Sequence, residues 1–169
     1  FARLEQMCSY LVEDSSEYRR RIVETRYEYA TEVFDRHLYE KGALVLHMLR
    51  ALVGEESWRR SLRRYVARHA FGAVETSDLR RAFEEETGRN LAWFFDQWVH
   101  GGGHPEVRVT RRYDEETRTL TLILEQTQAE DGVTPVFRLP MMLEVVAGGK
   151  RVRIPIEFRE RRETHQIPL

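Results

Sequence analysis

Apolar positions recur with two different periods along the chain, and the change falls in one place. Before His100 they return every three or four residues; beyond Pro105 they return every second residue. The opening "FARLEQMCSYLVEDSSEYRRRI" reads as helix from its first residues. Phe1, Leu4, Met7, Cys8 and Leu11 lie at helical spacing with no cap before them. "YEYATEVFDRHLYE" is aromatic and irregular, which predicts a loop or short turns. A helix over about 40–53 is expected to bury Leu46, Leu49, Leu52 and Val53 and to stop at Gly54. Residues 55–70 predict another, with Glu55 and Glu56 at its positive end and a stripe of Trp58, Leu62, Tyr65, Val66 and His69. "ETSDLRRAFEEETG" predicts a helix with Thr76 or Ser77 as N-cap and Gly88 just past its end. Asn90 then caps "LAWFFDQWV", whose Leu91, Phe94, Phe95 and Trp98 make an apolar face.

"HGGGHPE" breaks the helical pattern, since three glycines and Pro105 support no helix. Beyond it Leu120, Leu122 and Leu124 share one parity. Phe137 to Val145 and Val152 to Phe158 follow in the same two-residue rhythm. Gly148-Gly149 between the last two runs signals a two-residue hairpin. About five strands with short turns suggest most of a small β-sandwich, so the fold class is α+β. The domains expected are 1–103, helical, and 104–169, strand-rich, hinged at Gly101–Gly103.

Charge narrows the partners. The chain carries 27 basic and 28 acidic residues, net -1, shared evenly between its halves, and a nucleic-acid or acidic-membrane binder usually shows a basic surplus. Cys8 alone forms no intramolecular disulfide, which favours a cytoplasmic setting. No apolar run approaches the roughly 18 residues that span a bilayer. The uncapped beginning and the "THQIPL" ending look like a piece of a longer protein.

The candidate chemistry is sparse. Arg60, Arg64 and Arg68 share a helix face that could grip phosphates, but Glu55 and Glu56 stand four residues before Arg59 and Arg60, the spacing of a salt-bridged, solvated face. Six histidines invite a metal, yet only His100 and His104 are four apart, and three glycines lie between them. The remaining histidines show no ligand-like neighbours in sequence, so no complete metal site is expected. "HGGG" resembles an esterase oxyanion loop, but it ends a helix and no GxSxG elbow is present. Trp93, Phe94, Phe95 and Trp98 read as core. That leaves "RHLYEKGALVLHML". All but two of the basic residues are arginine, and one of the two lysines is Lys41, two residues after Tyr39. A surface lysine and a half-buried tyrosine would suffice to explain it. The sharper reading is that the Tyr39 hydroxyl, a firm donor at the positive end of a helix, stabilises a developing oxyanion.

The ordered series Tyr-x-Lys-Gly into a helix, "LVGEESW", "YVARHAFGAVETSDL" and "FFDQWVHGGGHP" resembles the zinc aminopeptidases of the aminopeptidase N family, in the gluzincin clan, over about residues 38–109. The resemblance implies the helical second half of a thermolysin-like catalytic domain followed by the family's antiparallel β-sandwich. It implies a zinc held by HExxH and a downstream glutamate, and a GxMEN-type motif for the substrate's free amino terminus. None of these motifs occurs in the chain, so the zinc ligands would lie upstream and the chain by itself is expected to be inactive. The family's transition-state tyrosine maps onto Tyr39. Lys41 and Gly42 also match; Gly42 is expected to permit a close turn and Lys41 to pair with an acid. The partners implied are peptides with a free N-terminus and the N-terminal catalytic half. A non-catalytic relative that binds or scaffolds, and a free-standing helical interaction module, stay open as alternatives.

Overall fold

Residues 2–15 and 18–169 are described by the computed structural model; Phe1, expected in the first helix, lies outside them. The described residues form five α-helices and then five strands. They divide into two compact units, Phe1–Gly102 and Gly103–Leu169. Among the described residues no helix is long and apolar enough to cross a membrane.

In the first unit α1 (Ala2–Asp14) turns little of its apolar spacing inward. Leu4, Met7 and Cys8 are exposed, and the buried side chains are Tyr10 and Asp14. The irregular aromatic stretch contains a 3-10 turn, Ala30–Val33, and a π-helical turn, His37–Lys41. The wider winding shows in the Lys41 amide, which donates to the Arg36 carbonyl at 2.9 Å, five residues back. Helix α2 (Gly42–Val53) follows without a break and ends at Gly54 with φ +84°. It buries Val45 and Leu49, whereas Leu46, expected inside, is exposed.

Helix α3 (Glu55–His69) also departs from its expected stripe. Its one fully buried side chain is Ser61, and Val66 is exposed. A small serine, whose hydroxyl donates to the Ser57 carbonyl at 2.8 Å, brings the backbone close to α4 (Thr76–Thr87). Trp58 meets Phe83 there at a ring separation of 5.2 Å. The arginine face pairs both along the helix and across it. Arg59 holds Glu55 at 2.7 Å, Arg64 reaches Glu86 at 3.1 Å and Arg68 reaches Glu85 at 2.7 Å. The N-cap of α4 is Glu75, one residue before the expected Thr76 or Ser77. Asp78 takes the reciprocal part, accepting the Glu75 amide at 3.0 Å. Gly88 closes α4 in the left-handed region. The Asn90 side chain accepts the Ala92 amide at 3.0 Å and starts α5 (Ala92–Trp98), where Phe94, Phe95 and Trp98 are buried. Gly101 to Gly103 are buried, and Gly102 bridges Arg21.

The second unit holds a three-stranded antiparallel sheet in the order β1–β2–β5 (Val107–Asp114, Thr119–Gln126, Arg162–Pro168) and a hairpin of β3 (Leu139–Ala147) and β4 (Lys150–Phe158). In the hairpin Leu139, Met141, Leu143 and Val145 stand directly opposite Phe158, Ile156, Ile154 and Val152, so the apolar alternation sets the register. Gly148 and Gly149 both have positive φ, 55° and 75°, the condition for a type I′ turn. Between sheet and hairpin, the Gln126 amide donates to the Phe137 carbonyl at 2.7 Å and accepts the Phe137 N–H at 2.8 Å.

Candidate functional site

The π-helical turn sends its two notable side chains in opposite directions. Tyr39 is 59% exposed and Lys41 only 3%. Among the described residues the Tyr39 ring has one aromatic neighbour, Phe34, at 6.2 Å, itself exposed. Its phenol therefore faces outward.

What fixes the turn lies beneath it. The Asp35 carboxylate caps the turn from in front, its Oδ1 accepting the amides of His37 at 3.0 Å and Leu38 at 3.1 Å. Arg20 grips the same carboxylate from both sides, Nε to Oδ2 at 2.6 Å and Nη2 to Oδ1. The rest of that guanidinium donates to the carbonyls of Arg21, Ile22 and Val33, at 2.6, 3.2 and 2.9 Å. Burial would lift the Asp35 carboxyl, but Arg20 and the Leu38 amide outweigh it and hold the group below the usual carboxylate range.

His37, passed over in the sequence, is fully buried within a polar cluster. Its Nε2 lies 3.3 Å from Asp14, and its Nδ1 lies 3.3 Å from Glu13 and 3.6 Å from Asp35. Tyr10 and Tyr18 set their rings edge-on against it at 5.5 and 5.7 Å. The Tyr10 hydroxyl is pushed far up, first by burial and then by Asp14. Lys41 enters the same cluster, and the expected acid partner is missing: its Nζ has no hydrogen-bond partner among the described residues. Asp14, the acid whose charge it feels, is engaged by Arg19 at 3.1 Å and by His37. Burial, with Arg20 and Arg19 nearby, lowers the Lys41 ammonium to about 8 against the pull of Asp14. Gly42 does not make a close turn either. Its φ is -56°, ordinary helix, and a Cβ there would meet nothing within 4 Å.

Glu13, Asp35 and His37 are the one group of three potential metal ligands among the described residues. A metal fits them badly. Arg20 already occupies the Asp35 carboxylate, so a bound cation would face a guanidinium. His100 and His104 fall outside that group. Two adjoining cavities, of about 440 and 350 Å³, share Val74, Glu75, Thr76 and Phe95 in their walls. Gly42 lines the second and Tyr39 lines neither.

The charged cluster left one sequence signal, Asp35 standing two residues before His37 at the start of a turn. Arg20, Asp14 and Glu13 left none, because they meet the turn only through the fold.

Residues 1–98 match the Peptidase family M1 domain, and the chain belongs to that family. It is 44% identical over 70 residues to the aminopeptidase N of Streptomyces lividans, covering 41% of this chain and 8% of that protein. It is 29% identical over 127 residues to tricorn protease-interacting factor F2 of Thermoplasma volcanium, covering 75% of this chain and 16% of that protein. The chain thus spans a small part of the relatives it matches. The crystal structure of Legionella pneumophila aminopeptidase A in complex with aspartic acid superposes with a TM-score of 0.73 at 17% identity, over 94% of this chain and 18% of that one, a likeness of fold.

Proposed function

We propose that the chain is part of a zinc-dependent aminopeptidase that removes N-terminal residues from peptides, and that Tyr39 is its oxyanion donor. In this reading the first unit is the helical second half of a thermolysin-like catalytic domain, and the metal ligands come from residues outside this chain. The two sheets of the second unit are the layers of a β-sandwich, a reading supported by the buried Leu122, Leu124, Phe137, Phe158 and Ile167 and by the Gln126 bonds to Phe137.

One observation carries the assignment of Tyr39: the phenol of the Tyr-x-Lys-Gly turn is exposed while its neighbour Lys41 is sealed inside. A tyrosine kept for packing would be buried. An outward hydroxyl on an anchored turn is free to donate to a carbonyl oxygen as negative charge develops there, and to release it when the charge collapses. In this reading the residues beneath it hold the turn.

The test is Tyr39→Phe in the full-length enzyme, with kcat, KM, bound metal and melting temperature measured on one preparation. Removing one oxyanion donor costs on the order of 100- to 1,000-fold in kcat, with KM little changed. A kcat within about threefold of the parent would sink the assignment, since so small a loss is far below that of an oxyanion donor.

A further inference from the structure

The Tyr39 ring is more than half exposed. Its one aromatic neighbour among the described residues, Phe34, is itself exposed, so side-chain packing does little to aim the phenol. The direction must come from the backbone of the π-helical turn. That backbone is held at its start by two carboxylates: Glu13 accepts the Arg36 amide at 3.1 Å, and Asp35 accepts the amides of His37 and Leu38, the first two of the turn itself. The Asp35 carboxylate is held in turn by Arg20, which is 6% exposed and ties three backbone carbonyls to the same point.

We infer that Asp35, locked by Arg20, is the positioning residue for the Tyr39 phenol. The inference rests on the proposed role of Tyr39. A turn with one residue more than an α-helical turn has a competing winding close at hand, the ordinary α-helix continuous with α2. Rewinding it would rotate Tyr39 about the helix axis. The Asp35 carboxylate sets the first two amides and Arg20 prevents the carboxylate from following them, so the pair selects the winding that points the hydroxyl outward. Neither residue touches substrate.

The experiment is a double-mutant cycle in the full-length enzyme, using Asp35→Ala, Asp35→Asn and Tyr39→Phe. Displacing a catalytic group by about an ångström costs up to about a hundredfold, so Asp35→Ala should lower kcat by roughly ten- to a hundredfold at unchanged KM and bound metal. Asp35→Asn keeps an acceptor for the two amides but loses the ionic hold of Arg20, so it should recover only part of that loss. In the Tyr39→Phe background either Asp35 change should cost less than about threefold more, because residues acting as one unit are not additive. A full additive loss in that background, or wild-type kcat in both folded Asp35 variants, would overturn the inference while leaving Tyr39 standing. A Tyr39→Phe enzyme of near-normal kcat would instead remove the role of Tyr39, and the inference with it. Should the alanine variant fail to fold, Arg20→Lys, which keeps the charge but not the two-point grip on Asp35, takes its place, and wild-type kcat in that folded variant would overturn the inference.

Discussion

The Lys41 ammonium lies 5.5 Å from the centroid of the Tyr10 ring, in a site where no hydrogen-bond acceptor among the described residues meets it. A cation over an aromatic face recovers part of its hydration, but less than a carboxylate would supply.

Stability should therefore rise with pH over an unusual window. Below pH 8 Lys41 is protonated folded and unfolded alike, and the burial cost is present in full. Between about 8 and its ordinary 10.5 the folded protein releases the proton and the unfolded chain keeps it, so stability climbs with pH. The whole climb is worth about 3 kcal/mol. Tyr10 opposes it near the top. Its folded value is raised, so the unfolded chain ionises first and that contribution falls away above about pH 10. Chemical denaturation from pH 7 to 10.5 should show a rise that flattens near 10, and Lys41→Met should abolish it. A flat profile in the parent chain would refute the buried, unpaired ammonium.

Gly42→Ala should be neutral or stabilising by up to about 1 kcal/mol, since helical φ and open space suit alanine and glycine costs more entropy on folding. Melting temperature of the isolated chain is the measurement. A drop of several degrees would mean that the family's glycine is needed for packing after all.

Gly103→Ala should do the reverse. The residue has φ +65°, and a Cβ would sit 2.3 Å from the Thr134 hydroxyl oxygen. Left-handed strain and the clash together should cost about 1–3 kcal/mol. In the same unfolding assay a loss near the lower end would mean that Thr134 moves aside and only the backbone strain remains, and no loss at all would contradict the left-handed φ.

The isolated chain should hold no stoichiometric zinc after dialysis, because the Asp35 carboxylate is taken by Arg20. Elemental analysis decides it. Arg20→Met sharpens the test, since it frees the Glu13, Asp35 and His37 group; zinc already bound one-to-one to the parent chain would contradict the proposal that the ligands come from elsewhere.

Much of the fold was legible wherever one residue does one job. Gly54 and Gly88 stop their helices, Gly148-Gly149 turns the hairpin, and the apolar parity of β3 and β4 names the partners across it. The α3 stripe misled because that helix meets α4 through Ser61 and an arginine–glutamate lattice, so Val66 stays outside. At the candidate site Tyr39 could be named from its motif, but Lys41 could not be placed. Nothing local to a lysine says that Tyr10, Asp14 and Arg20 will enclose it. Arg20 and Asp35 are fifteen residues apart with irregular chain between them, and their meeting has no periodic trace.

The hairpin of β3 and β4 has a consequence for the order in which the second unit assembles. Its two strands are separated only by Gly148 and Gly149, so they can zip together from the turn with little loop to close. Strand β5 must instead return to β2 across everything between Gln126 and Arg162, the hairpin included. Closing that longer loop is entropically dearer, and it becomes cheaper once the hairpin has formed and shortened the effective span. The two local pairs, β1–β2 and β3–β4, are thus expected to form before β5 docks on β2. Until β5 arrives, the edge of β2 away from β1 is open to any other strand, and a quickly closed glycine turn shortens the loop whose closure covers it.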